Sequence, residues 1–334
     1  MNERRWYAMR KRIVGMIIFI AAIIIVLTDG CQKKATNKDG TSIYYSAIES
    51  GDYYEGWANQ LEEAAKQRGF TFQVGYAENS IETQDAQIKK AVSEDCSVFL
   101  CGPVSSDIVT EIKVAADSAP IVFINNAPSE KQLEKDRYIY VASDEVMAGQ
   151  YQAEYILEHL GQKEEINVVL LKGPKGASGT VGRTEGLKQT LKASGKTIHY
   201  VFEDYADWNE DKAKELVKMF LKTGRSVDCV VANNDDMALG GMSALEEAGY
   251  DIDSILFLGV DASTNGCQSI LDGKMDFTVY QAMSDQIVAA VEAAGKLAAG
   301  ESIKGMEGAT EDGKYILIPF EKVDISNVAN YTNS

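Results

Sequence analysis

The side chains in this sequence with most to offer chemically are polar ones that interrupt apolar runs. They are Asn125 after Phe123 and Ile124, Asn233, Asn234 and Asp235 after Val230 and Val231, and Asp261 after Gly259 and Val260. Amides and carboxylates in such places both orient and accept hydrogen bonds, and when buried they need partners. The raw material for covalent chemistry is thin. His159 and His199 are the only histidines, which leaves little for metal sites or acid–base schemes. Cys96, Cys101, Cys229 and Cys267 form no Cys-x-x-Cys pair and have no histidine nearby, so they read as small buried apolar residues, not as zinc ligands or a disulfide framework. The loop Gly173-Pro174-Lys175-Gly176-Ala177-Ser178-Gly179 lacks both Gly-x-Gly-x-x-Gly spacing and a closing Gly-Lys-Ser/Thr, so it is weak as a phosphate loop. No Ser/His/Asp set or metal-carboxylate motif stands out. Binding is expected in place of catalysis: no enzyme, no cofactor and no metal.

The elements that must position these groups follow from periodicity. Near-continuous Val, Ile, Leu and Phe at 43–47, 97–101, 121–125, 138–141, 166–171, 198–202, 229–232 and 255–260 predicts strands covered on both faces. Between them, Trp57, Leu61, Ala64 and Ala65, then Ile108, Ile112 and Ala115, recur at helical spacings of three and four. Alternating strands and helices imply α/β layers with parallel sheets, and the series runs twice, before and after about Ser143. With 334 residues and about 150 per domain as a guide, two lobes are expected. In such sheets ligands bind beyond the carboxyl ends of the strands, where the polar interruptions lie. The formal charge of −17 repels phosphate backbones, and no basic stripe follows residue 12, so no nucleic-acid partner is expected.

The amino terminus has its own logic. Arg4, Arg5, Arg10, Lys11 and Arg12 precede an uncharged run at 13–27. Its 15 residues reach about 22 Å as a helix, short of a bilayer core, which favours a secretory signal over an uncleaved anchor while leaving both open. The segment Leu27-Thr28-Asp29-Gly30-Cys31 resembles a bacterial lipoprotein signal, with Thr28 and Asp29 as departures. That resemblance implies a signal peptide at 1–30, lipidation of Cys31, a polar linker at 31–41 and a chain anchored on the outer face of the cell membrane.

The segments Phe123-Ile124-Asn125-Asn126-Ala127-Pro128-Ser129, Leu170-Leu171-Lys172-Gly173, Val231-Ala232-Asn233-Asn234-Asp235-Asp236-Met237-Ala238 and Gly259-Val260-Asp261 resemble the periplasmic sugar-binding proteins, most of all the galactose/glucose-binding type. The similarity covers about residues 42–325. It implies the periplasmic-binding-protein-like I fold: two Rossmann-like lobes with parallel sheets, a three-segment hinge and a sugar held between. One lobe would be 42–142 plus 282–317 and the other 143–281 plus 318–325, leaving a tail at 326–334. The crossings would fall near 142–144, 281–284 and 318–320.

A neutral sugar offers hydroxyls at its edge and two faces of C–H groups, which suit amides and carboxylates on one hand and aromatic rings on the other. Carried onto this sequence, the resemblance makes Asp52 a hydroxyl acceptor, Tyr54 a stacking ring with Tyr53 beside it, Asn125 a strand-end ligand, Arg183 a planar fork of donors and Trp208 the second stacking ring. Asn234, Asp261 and Gln281 complete the polar shell. Read without the resemblance, the tyrosine pair also fits a helix start, Asn125 a turn and Trp208 a staple before a helix.

Two departures bear on the ligand. Ala177 and Gly179 stand where the galactose/glucose type has a histidine and an aspartate, so glucose or galactose does not follow, and the smaller side chains leave room for a bulkier, substituted or linked sugar. The family's calcium loop is also missing from the short connection at 160–165. The resemblance implies a monomeric solute-binding component that hands a sugar to the permease of an ABC importer. A sugar-sensing module docking on a chemoreceptor or sensor kinase is the alternative. A related cytoplasmic repressor would need an N-terminal DNA-binding helix pair, and the export segment occupies that place.

Overall fold

The computed structural model describes residues 40–332. The signal segment at 1–30, Cys31 and all but the last two residues of the linker lie outside them.

Among the described residues, twelve strands form two six-stranded sheets. The first is ordered β11-β5-β4-β3-β1-β2, from β1 (Ser42–Ala47), β2 (Thr71–Tyr76), β3 (Val98–Cys101), β4 (Ile121–Phe123), β5 (Tyr138–Ala142) and β11 (Tyr315–Leu317), every neighbour parallel. The second is ordered β12-β10-β9-β8-β6-β7, from β6 (Glu165–Lys172), β7 (Thr197–Tyr205), β8 (Cys229–Ala232), β9 (Leu256–Leu258), β10 (Phe277–Gln281) and β12 (Phe320–Asp324). Here only β12 runs antiparallel. The chain passes from the first sheet to the second after Ala142, returns after Gln281, and crosses again between Leu317 and Phe320.

Helices cover both faces of each sheet, which is why the inner strands carry almost no polar residues. In the first lobe α1 (Asp52–Gln67) and α9 (Met283–Ala298) close one face around Trp57, Leu61, Ile287 and Val291, while α2 (Ile81–Ser93) and α3 (Val109–Ala115) close the other around Ile88, Phe99 and Phe123. In the second lobe α4 (Glu145–His159) and α5 (Ser178–Ala193) bury Ile156 and Leu187. On its opposite face α6 (Glu210–Leu221), α7 (Asp235–Glu247) and α8 (Thr264–Leu271) bury Phe220, Leu245 and Phe257. Two α/β lobes of doubly wound, mostly parallel sheets are the architecture that the apolar runs predict.

Four strands escape that reading. β2 is an edge strand with no fully buried residue, β11 has three residues, and β12 buries only Phe320 and Val323. An edge strand has one neighbour and needs no continuous apolar run. β10 carries a buried threonine, Thr278, in its middle. Two expected strands are shorter: β4 stops at Phe123 and β9 spans three residues, because the polar segments that follow turn away from the sheets.

In each sheet the strand order reverses beside the first strand, between β1 and β3 and between β6 and β8. Loops diverge at such a switch point and leave a crevice at the carboxyl ends.

Candidate ligand-binding cleft

Asn125 (φ 62°), Asp207 (52°), Trp208 (63°), Asp261 (118°) and Ala262 (49°), none of them glycine, have left-handed backbone and sit in loops at the carboxyl ends of strands or just beyond. For side chains such as Trp and Ala this conformation is unfavourable by about 1–3 kcal/mol each and persists only where the surroundings impose it. All but Ala262 line one cavity of about 440 Å³ between the lobes, a size ordinary for small-molecule sites.

Tyr53, Tyr54, Asn125, Arg183, Trp208, Asn234, Asp261 and Gln281 line this cavity. Asp52 does not. It is the first residue of α1, exposed, with its carboxylate near the positive end of the helix; Glu49, three residues earlier, occupies the lining instead. Tyr53 and Tyr54 follow on the first turn, their rings edge-to-face at 5.1 Å, and Tyr53 accepts a 3.5 Å hydrogen bond from Asn125 Nδ2. Asn234 has two duties: its side chain caps α7 by accepting from the Met237 N–H at 3.1 Å and donates to the Trp208 carbonyl at 3.4 Å.

Arg183 is the hub. It is 5% exposed, and Nε donates to Glu145 Oε2 at 2.7 Å. Nη1 donates to the Asn233 carbonyl at 2.5 Å and to Asp261 at 3.5 Å, and Nη2 to Gln281 at 3.4 Å. The guanidinium also lies 5.7 Å from the Trp208 ring centre. Burial opposes the charge, yet Glu145 and Asp261 hold it above its usual pKa. Glu145 reaches Arg183 because α4 and α5 meet at backbone contact: a Cβ on Gly182 would fall 2.5 Å from that of Glu145, and one on Gly186 2.0 Å from the Val146 carbonyl.

The loop that follows Asp261 is held by Asp235, which is fully buried. One carboxylate oxygen of Asp235 accepts from Thr278 Oγ1 at 2.6 Å and the other from the Ser263 N–H at 2.7 Å, while Thr278 Oγ1 accepts from the Ala262 N–H at 3.2 Å. Gly259 and Gly266 make room, since a Cβ on either would lie 2.1 or 2.3 Å from a carboxylate oxygen. Burial pushes the pKa of Asp235 up, and the charge of Asp261 adds to it; burial likewise raises Asp261 against the pull of Arg183. Asp236, also in the lining, is raised by burial alone.

The lobes touch at the cavity. Ser178 Oγ, opening α5, donates to the Asn125 carbonyl at 3.0 Å, and Tyr140 Oη, from the middle of the first lobe's β5, donates to the same carbonyl at 3.3 Å. Sequence reasoning missed Tyr140, Glu145 and Gln286. Two of these stand within three residues of a crossing between the sheets, and Gln286 Nε2 donates to Ser143 Oγ at 3.0 Å, tying two crossings together. The available signal was that helices opening right after a crossing face the cleft. Neither histidine takes part: His159 stacks on Tyr155, and His199 is exposed beside Glu165.

A family described as a periplasmic binding protein domain matches residues 43–302. The putative rhizopine-binding protein of Rhizobium meliloti is 30% identical over 277 residues, 82% of this chain and 86% of that protein. The xylitol-binding protein of Mycolicibacterium smegmatis is 28% identical over 295 residues, 87% and 82% of the two chains, and the ribose import binding protein of Escherichia coli is 27% identical over 282, 84% and 92%. Among solved structures, an ABC transporter solute binding protein from Bacillus halodurans with bound myo-inositol matches with a TM-score of 0.76 at 28% identity, covering 89% of this chain and 99% of that one. These relatives are binding proteins, not enzymes. With that family matching most of its length, the chain belongs to the periplasmic binding protein family.

Proposed function

We propose that the protein captures a sugar or cyclic polyol between its lobes and delivers it to the permease of an ABC importer. The observation that carries this reading is the 440 Å³ cavity itself, in which rings, amides and carboxylates from both lobes face one space. Tyr54 and Trp208 offer flat faces to C–H groups, while Asn125, Asp261 and Gln281 offer edges that match hydroxyls. Arg183 is already held by four acceptors, so its part is to fix Asp261 and Gln281 in place and present what donor capacity remains. Asp52, which lies outside the cavity lining, has no part in the proposal.

Capture works by closure. A ligand that bonds to both lobes stabilises the closed form over the open one by its differential affinity, with no bond made or broken. The hinge is proposed at the three passages, residues 142–145, 281–283 and 317–320, which divide the lobes as 42–142 plus 282–317 and 143–281 plus 318–325. Import is favoured over sensing because the Bacillus halodurans relative is an ABC transporter solute binding protein and the Escherichia coli relative an import binding protein. Export, lipidation at Cys31 and tethering to the outer face of the membrane rest on the sequence between Arg4 and Cys31.

The test is a thermal-shift screen of the chain from Lys33 onward against monosaccharides, disaccharides and cyclic polyols. At a hundred times its Kd a ligand adds about 2.7 kcal/mol of stability. Trp208→Ala and Asp261→Ala should each cut that shift to well under half. A ligand whose shift survives both substitutions would place the site elsewhere, and a screen without any carbohydrate response would remove the reading.

A further inference from the structure

A second cavity of about 520 Å³ abuts the first, and Glu49, Tyr54, Asn126, Ala177 and Trp208 line both. Its remaining wall comes from both lobes: Asn79, Val104, Ser105 and Asp107 on one side, Pro174 and Lys175 on the other. The Ser178 to Asn125 hydrogen bond crosses the cleft next to Ala177, so this space is what remains when the lobes are already in contact.

Its chemistry resembles that of the first cavity. Val104, Pro174 and the shared Trp208 supply apolar surface, and Ser105, Asn79 and Asp107 supply donors and acceptors at its edge. Lys175 makes no ion pair among the described residues, which leaves an ammonium group free to meet hydroxyls. Part of the shared wall is small: Ala177 has only a methyl group, and a Cβ on the neighbouring Gly176 would meet nothing within 4 Å. None of Asn79, Ser105, Asp107 and Lys175 lines the first cavity, so a single ring seated there leaves them to water.

We propose that the ligand is a two-ring carbohydrate: a ring polyol in the first cavity, joined past Ala177 and Trp208 to a second sugar ring in the space walled by Ser105, Asp107 and Lys175. This rests on the reading of the cleft as a carbohydrate site. It goes further by naming the size class and the residues that select it.

The experiment is calorimetric titration of the full chain with single rings (glucose, galactose, ribose, myo-inositol) and two-ring compounds (maltose, lactose, melibiose, galactinol). Ser105→Tyr fills the second cavity without touching the first, and Lys175→Ala, on an exposed loop, removes its cation without stressing the fold. At least one two-ring compound should bind about tenfold or more tighter than either of its component rings. Ser105→Tyr should weaken it about tenfold or more, and Lys175→Ala by a smaller factor, with single-ring affinity unchanged in both. If single rings bind best and the added ring only weakens binding, or if both variants leave two-ring affinity unchanged, the two-ring proposal is wrong and the carbohydrate reading stands. If no compound of either size binds, the carbohydrate reading itself falls, and this proposal with it.

Discussion

Replacing Arg183 by methionine removes the cation at the centre of the cleft and leaves Glu145, whose side chain is 13% exposed, with an unpaired charge. Breaking a buried ion pair from one side costs about 3–5 kcal/mol, because the remaining charge stays desolvated. The Asn233 carbonyl also loses its 2.5 Å donor, a group worth about 1–3 kcal/mol when orphaned. Water in the cavity can reach part of this region, so the lower end applies and the total should be about 3–5 kcal/mol. For a unit of this size each kcal/mol lowers Tm by about 2–4 °C, so Arg183→Met should melt roughly 6–20 °C below the parent in the absence of ligand. Glu145→Leu should cost a similar amount by stranding the guanidinium. The double substitution removes both charges and should recover at least about 2 kcal/mol of the summed losses. Thermal and urea unfolding of the four ligand-free proteins give the coupling energy directly. Additivity to within about 0.5 kcal/mol, the behaviour of independent sites, would refute the view that this pair organises the cleft.

Gly266→Ala places a methyl group about where a carboxylate oxygen of Asp235 lies, 2.3 Å away, so the loop at 261–263 must shift. Ligand affinity should fall along with Tm, and a variant that binds normally would show that the loop does not depend on this packing. Asp235 titrates above the ordinary carboxylate range, so the folded protein holds a proton that the unfolded chain has released, and stability falls as pH rises from that range through the raised pKa. Tm measured between about pH 5 and pH 8 should therefore drop less in Asp235→Asn than in the parent; a parent whose Tm climbs over that window contradicts the assignment. Trp208→Ala should weaken whichever carbohydrate binds by about 2 kcal/mol, roughly thirtyfold, as read by calorimetry. Unchanged affinity would remove the indole from the site.

Much of the cleft was legible because its residues break a pattern. Asn125, Asn234 and Asp261 stand out as polar side chains at the end of apolar runs, and the residues assigned by resemblance, Arg183, Trp208 and Gln281, meet them at one cavity. Asp52 failed where Glu49 succeeded because the choice depends on the direction of side chains around Gly51, whose φ of 129° sets the entry to α1. Adjacent residues in a loop carry no marker of that direction. Glu145 was harder still, an ordinary helix-start acid in the sequence whose importance comes from Arg183, far along the chain. Asp235 stands out at the end of an apolar run, but its part in pinning the loop comes from partners as distant, Thr278 and Ser263.

The amino-acid order alone determined the α/β class, the repetition in two halves and the inner strands, because a strand covered on both faces must be apolar at nearly every position and that demand is written locally. It did not determine the edge strands β2, β11 and β12, whose exposed residues face no such demand. Only the tertiary structure decided which carboxylate meets Arg183, how the loop at Asp261 is pinned, and that a second hollow opens beside the first. These depend on distances between segments that the chain brings together from scores of residues apart, and no short-range spacing records them.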